Sequence, residues 1–144
     1  MILIDANLLL YAYNPRAAEH DVSKRWLEAA LSGRSLVRFA WLSLWAFLRI
    51  STNPRVFEHP LTMAEAEAAV AAWLAQPMAG ILEPGERHWD ILRALTQHGQ
   101  TSGPLVMDAA LAAIAIEHGA TLCTTDRDFA RFDGLKWENP IAVA

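Results

Sequence analysis

Met1-Ile2-Leu3-Ile4-Asp5-Ala6-Asn7 opens the chain and decides its fold class. Four apolar residues run straight into an acid, with no polar alternation. A short continuous apolar run of this kind reads as a strand buried on both faces, as in a parallel sheet. A second such run, Thr121-Leu122-Cys123-Thr124, stops just before Asp126 and Asp128. Between the two, Asp108 opens the Ala-rich segment that runs to Ile116. Ligands of open α/β sheets bind beyond the carboxyl ends of the strands. Acids from two strand ends and one helix start are therefore expected to converge at one edge. Like charges held together are costly unless a cation neutralises them. The pattern points to a divalent metal.

The rest of the chain alternates the same two kinds of segment. Ala18 to Leu31 carries Val22, Trp26, Leu27 and Leu31 at helical spacing, with Gly33 as a stop. Leu36 to Phe39 reads as a second strand. Trp41 to Ser51 is apolar nearly all round, so a buried helix is expected, ended by Asn53-Pro54. Thr62-Met-Ala-Glu65 is a capping box opening a helix that Pro77 closes. Gly80 to Glu83 is a weak third strand, and Glu86 to His98 a helix with Trp89, Leu92 and Leu95 on one face. Gly99 to Pro104 is a loop leading to a helix over Asp108 to His118. Leu122 to Thr124 and Leu135 to Trp137 give two more strands. Strands alternating with helices imply right-handed crossovers and a parallel sheet covered on both faces.

Composition narrows the function classes. A chain of 144 residues is about one domain, taken as residues 1–144, and it is long enough for a real core. Apolar residues make up 53% and charged residues 19%, which excludes a disordered chain. The formal net charge of −4 leaves no broad basic surface, so any nucleic-acid contact must come from a local basic rim. Cys123 is the single cysteine, which rules out an intrachain disulfide and suggests an inert core thiol. No basic and apolar leader precedes Asp5, and no stretch approaches ~18 uninterrupted apolar residues. A cytoplasmic protein without a membrane span is the expectation. Five histidines show no ligand spacing, so a zinc site is not expected. His118, near a helix end, reads as a dipole partner.

Taken singly, each acid has a structural explanation. Asp5 suits a helix cap, Asp108 suits a first helical turn, and Thr125 to Asp128 suits a solvated turn. Taken jointly, three elements would have to place unneeded carboxylates on one sheet edge by accident. The metal site is the better reading.

Further residues carry a family resemblance. Asp5-Ala-Asn-Leu-Leu-Leu-Tyr-Ala12, Phe47-Leu-Arg-Ile-Ser-Thr-Asn-Pro-Arg-Val-Phe57 and Asp108-Ala-Ala-Leu-Ala-Ala follow one another in order. Glu117-His-Gly-Ala120, Thr124-Thr-Asp-Arg-Asp-Phe129 and Phe132-Asp-Gly-Leu-Lys-Trp137 complete the series. Together they resemble the PIN-domain ribonucleases, and most of all the VapC-type toxins of bacterial toxin–antitoxin pairs. The resemblance implies an α/β/α sandwich around a five-stranded parallel sheet, a homodimer, Mg2+ or Mn2+, RNA as substrate and a small VapB-type antitoxin as partner. It also implies products carrying a 5′-phosphate. One position departs from the family: the acid usual just before Phe-Leu-Arg is Ala46 here. That removes a charge from the site, and Mg2+ tolerates the loss because it uses few carboxylates and keeps several waters.

On this reading Asp5, Asp108 and Asp126 are the catalytic and metal-binding acids, with Asp128 in support. Asp5 and Asp108 are the direct ligands; Asp126 acts through water or activates the nucleophile. Asn7 and Thr124 hold Asp5 or a water in place. Arg16, Arg49 and Arg55 are the cations nearest these motifs, each either gripping a phosphate or serving surface solvation or an ion pair. Six tryptophans exceed what one small core needs, so some are expected at a dimer surface or an antitoxin groove. A phosphatase of the haloacid-dehalogenase type also begins with an Asp after its first strand, but it needs a second Asp where this chain has Asn7. The remaining alternative is a PIN fold that, lacking an acid at Ala46, binds RNA or a partner with weak or no catalysis.

Overall fold

The computed structural model describes residues 1–142. Residues 143–144, which close the expected domain, lie outside the described part. Ile2–Ile4 forms β1, with Leu3 and Ile4 both fully buried. Leu3 packs into one apolar layer and Ile4 into the other, because neighbouring residues of a strand point to opposite faces. Both faces are covered, so the run has no polar residue. The elements that follow are α1 (Ala6–Ala12), α2 (His20–Leu31), β2 (Val37–Phe39), α3 (Trp41–Ser51), α4 (Met63–Leu74) and β3 (Ala79–Ile81). Then come α5 (His88–His98), α6 (Leu105–His118), β4 (Thr121–Cys123), a short turn of helix at Arg127–Arg131, and β5 (Trp137–Glu138).

The five strands form one sheet in the order β3-β2-β1-β4-β5, and every pairing is parallel. β1 is central: Ile2 faces Val37 on one side and Thr121 on the other. From β1 the chain steps outward to β2 and β3, then returns past β1 to β4. The order therefore reverses between β1 and β4, the switch point at which doubly wound sheets open a crevice. Helices α1 to α4 cover one face over Leu8, Leu9, Phe39, Phe47 and Trp73. Helices α5 and α6 cover the other over Leu95, Leu111, Ala112, Ile114 and Phe129. The result is the expected three-layer α/β/α sandwich.

Several local features follow directly from sequence. Thr62 accepts from the Glu65 N–H while the Glu65 carboxylate accepts from the Thr62 N–H, which completes the capping box of α4. Gly119 ends α6 at φ 68°, a left-handed position that favours glycine. The end of α6 is also fastened to the loop before α5. The Glu117 carboxylate accepts from the N–H groups of Gly85 at 2.8 Å and Arg87 at 3.0 Å. His118 Nε2 donates to the Glu83 carbonyl at 2.8 Å, since a carbonyl can only accept.

The structure corrects four local expectations. Helix α1 follows β1 at once, where no helix was expected before residue 18; Leu8-Leu9-Leu10 looks like more strand because it lacks polar punctuation. α6 begins at Leu105, so Asp108 lies in its first turn without capping it. α3 is not buried all round. Ser43, Leu44 and Phe47 face the core, while Trp41 and Trp45, four residues apart, are 40% and 62% exposed. On α5, Leu95 is buried and Trp89 is 63% exposed, with Arg93 over its ring. Of the six tryptophans, only Trp73 is core. It stacks on Phe39 and meets Phe47 and Tyr13 edge-on.

Candidate active site

Asp5 is placed by three contacts. Its backbone N–H donates to the Cys123 carbonyl at 3.0 Å, which fixes the end of β1 against the end of β4. Its Oδ1 accepts from the Ala6 N–H at 2.7 Å, capping α1. Its Oδ2 accepts from the Thr124 hydroxyl at 2.7 Å. The capping role and the site role of Asp5 are thus served by different oxygens of one carboxylate.

Thr124 is the hub of the crevice. A hydroxyl has one proton and two lone pairs. The proton goes to Asp5; the lone pairs accept from the Asp126 N–H at 3.0 Å and from Asn7 Nδ2 at 3.3 Å. With its proton committed, Thr124 can only accept from Asn7, so the amide must present its NH2 group to Thr124. That leaves Asn7 Oδ1 buried without a hydrogen-bond partner among the described residues. Asp126 in turn accepts from the Asp128 N–H at 2.9 Å and caps the Arg127–Arg131 turn. Of the two residues expected to hold Asp5 or a water, Thr124 bonds Asp5 directly and Asn7 reaches Thr124 instead.

Asp108 enters from the other side of the crevice, on the first turn of α6. Among the described residues its carboxylate accepts no hydrogen bond. Its pKa is pushed up to about 6, first by burial and then by the charges of Asp5, Asp126 and Asp128, with Arg131 opposing. The Asp5 carboxyl is also raised, chiefly by burial, against the lowering effect of its bonds from Thr124 and Ala6. Asp5, Asp126 and Asp128 thus all act on Asp108, and Arg131 offsets their repulsion only in part. Among the described residues, no three His, Cys, Asp or Glu side chains are drawn together into a ready-made metal cage. Hard carboxylate oxygens and an orphaned amide oxygen nevertheless suit a small, hydrated divalent cation that keeps some of its waters.

Ala46 is half-buried on α3 and adds no acid. The Cys123 thiol is buried and pushed up to about 12 by that burial, which makes it inert. The expected phosphate cations separate from one another. Arg16 pairs with Glu58 at 2.9 Å at the rim of a cavity of about 560 Å3 that also involves Tyr13, Ser51 and Leu61. That larger cavity contains none of the four aspartates. Arg49 and Arg55 are exposed at and beyond the end of α3. Arg131, which sequence reasoning passed over, is the cation whose charge acts on Asp108. Its signal was its place three residues after Asp128, in the turn that Asp126 opens.

The PIN-domain family model matches residues 2–135. Ribonuclease VapC37 of Mycobacterium tuberculosis is 46% identical over 143 residues, covering 99% of both chains. The fold is also similar to that of VapC20 of M. tuberculosis, described as a sarcin-ricin loop cleaving toxin, with a TM-score of 0.66, 20% identity, and 94% and 99% of the two chains covered. VapBC2 from Rickettsia felis, solved bound to a DNA fragment from its promoter, matches with a TM-score of 0.66, 20% identity, and 96% and 98% coverage. The chain belongs to the PIN-domain family, within its VapC ribonuclease branch.

Proposed function

We propose that this protein is a metal-dependent endoribonuclease, the toxin of a type II toxin–antitoxin pair. The observation that carries the reading is the set of Asp5, Asp108 and Asp126 around the β1–β4 switch point, where burial first and the neighbouring acids second push Asp108 up to about 6. Unrelieved acid charge of this kind marks a functional site more often than a structural one. The 46% identity to a protein named a ribonuclease supports RNA as the substrate class.

Asp5, Asp108 and Asp126 are the residues that would hold Mg2+ or Mn2+, with Asp128 in support. The ion supplies charge neutralisation at a non-bridging phosphate oxygen and a lowered pKa for water. The chain's own groups do the rest. Thr124 keeps the Asp5 carboxylate oriented by donating to Oδ2, and its own hydroxyl oxygen accepts from the Asp126 N–H. Asp126 would bind the ion through a water or take the proton of the attacking water, leaving Asp5 and Asp108 to the ion. The orphaned Asn7 Oδ1 offers a neutral acceptor beside them.

The protein is expected to work as a homodimer restrained by a small VapB-type antitoxin. The exposed Trp41 and Trp45 face of α3 supports an interface, since large apolar patches are uncommon on monomers. The R. felis relative, solved as a VapBC assembly, supports the antitoxin. Sedimentation at micromolar concentration tests the dimer; a strictly monomeric species defeats it.

RNA cleavage with Mg2+ or Mn2+, and its loss with EDTA, tests the catalytic reading. The non-cleaving alternative is favoured by Ala46 and by the open spacing of the acids. Calorimetric metal titration separates the two: no saturable Mn2+ binding, together with no EDTA-sensitive cleavage, would establish the alternative.

A further inference from the structure

A second, smaller cleft of about 250 Å3 lies between the end of α5 and the Arg127–Arg131 turn, lined by Leu95, His98, Gly99, Arg131 and Asp133. It is joined to the acid crevice by the chain on two sides. Arg131 closes the turn that Asp126 opens. Gly99 begins the loop that enters α6 and delivers Asp108.

Arg131 is exposed there, and its electrostatic situation is unusual. Among the described residues the one ion pair within 4.0 Å is Arg16–Glu58, so Arg131 contacts neither Asp133 in its own cleft nor the four acids beside it. A guanidinium whose task was only to relieve those acids would rest against one of them. This one stands off, near enough for its charge to act on Asp108 and far enough to keep its donors open. With a net charge of −4, the chain has no broad basic face to gather RNA, so affinity must come from a few placed cations. On the opposite side Arg16 is engaged by Glu58. At about 250 Å3 the cleft falls below the roughly 300–1,000 Å3 usual for a small-molecule site. One phosphate with part of its ribose fits that scale, and a planar guanidinium fork matches two phosphate oxygens.

We propose that Arg131, flanked by His98, seats an RNA backbone phosphate next to the one held at Asp5, Asp108 and Asp126. The inference rests on the ribonuclease reading and extends it by assigning the path of the strand on one side of the cut. Asp133 limits the grip, since a carboxylate in the same cleft repels the strand.

The test uses a short fluorescent single-stranded RNA and the Asp108→Asn protein, which binds without cutting. Anisotropy is followed across a series of salt concentrations. Adding Arg131→Ala should weaken binding about tenfold and flatten the slope of log K against log salt by about 0.7, the value for one lost phosphate contact on a single strand. Adding Asp133→Asn should move affinity the opposite way. Arg131→Ala in the otherwise native protein should bind Mn2+ as tightly or more tightly, because a cation beside the acids has gone. Parental affinity and slope in both variants would overturn the proposal. Joint loss of RNA and Mn2+ binding would overturn it too, by making Arg131 structural. An Asp108→Asn parent that binds no RNA at all would instead bring down the ribonuclease reading, and this inference with it.

Discussion

Asp108 and Glu117 stand at opposite ends of α6, and their surroundings are opposite in kind. Glu117 accepts two backbone N–H bonds, and the bond from Gly85 is the main cause of its lowered pKa. Asp108 accepts none among the described residues and is held near 6 by burial and by like charge. One carboxylate is satisfied and fastens the helix to the β3–α5 loop. The other is left frustrated, and the fold around β1 and β4 maintains that frustration. The difference supports the proposed division between a structural acid and a functional one, since perturbed carboxylates cluster at functional sites.

The sharpest way to break the contrast is to remove the functional acids. Asp5→Asn or Asp108→Asn should lower metal-dependent RNA cleavage by about 10²- to 10⁴-fold, the scale for a positioned proton-transfer or charge-bearing group. Circular dichroism should remain native. Cleavage at the wild-type rate in either variant would end the assignment.

Restoring the family's acid should push the other way. Ala46→Glu, if the half-buried position faces the crevice, should tighten Mn2+ or Mg2+ binding on the order of tenfold to a hundredfold. Unchanged affinity in a folded variant would show that the side chain points elsewhere. An unfolded variant would show a charge stranded in the core.

The pH dependence of stability follows from the sign of the Asp108 shift. The folded state holds this proton up to about pH 6, whereas the ordinary carboxyl releases it near 3.8. Stability contributed by the protonated group is therefore full below 3.8 and lost as pH rises through about 6. Asp108→Asn should melt higher than wild type above pH 6, and the gap should close below pH 4. Mn2+ should narrow the same gap from the other side by stabilising only the wild type. A gap independent of pH would mean that the repulsion is not felt.

The smallest effect belongs to the structural end. Glu117→Gln weakens the two backbone bonds, and Gly85→Ala drives a Cβ into the Glu117 carboxylate. Either change should lower the melting temperature modestly while leaving Mn2+ affinity untouched. A change in metal affinity would mean that the fastening at one end of α6 sets the position of Asp108 at the other.

Much of the fold was legible in the sequence, and the reasons are particular. Met1 to Asp5 and Thr121 to Asp126 announce strands ending in acids because a strand covered on both faces has no room for polar alternation. Thr62 and Glu65 announce a helix start because the capping box is made within four residues. What failed were statements about direction. Trp41, Trp45 and Trp89 count as apolar in any composition, yet which way each points depends on neighbours distant in sequence. Helix α1 was hidden because three leucines in a row fit strand or helix equally well. Arg131 was overlooked in favour of Arg16, Arg49 and Arg55, since nearness to a motif along the chain is a poor guide to nearness in space. The ion pair of Arg16 with Glu58 and, among the described residues, the lack of one at Arg131 become visible only when these side chains have positions.

The network around Thr124 has a bearing on how a dangerous enzyme is made. Asn7 and Asp5 reach Thr124 over sequence separations of 117 and 119 residues. A ribosome that has synthesised the protein only through α5 has released Asp5 and its cap, but neither Asp108 nor Thr124 nor Asp126. On the proposed reading, half-made copies are chemically blank. The same holds for a finished copy nicked in the loop before α6, once the pieces part. On the proposed reading, placing the two halves of the crevice at the two ends of synthesis ties potency to the completed sheet.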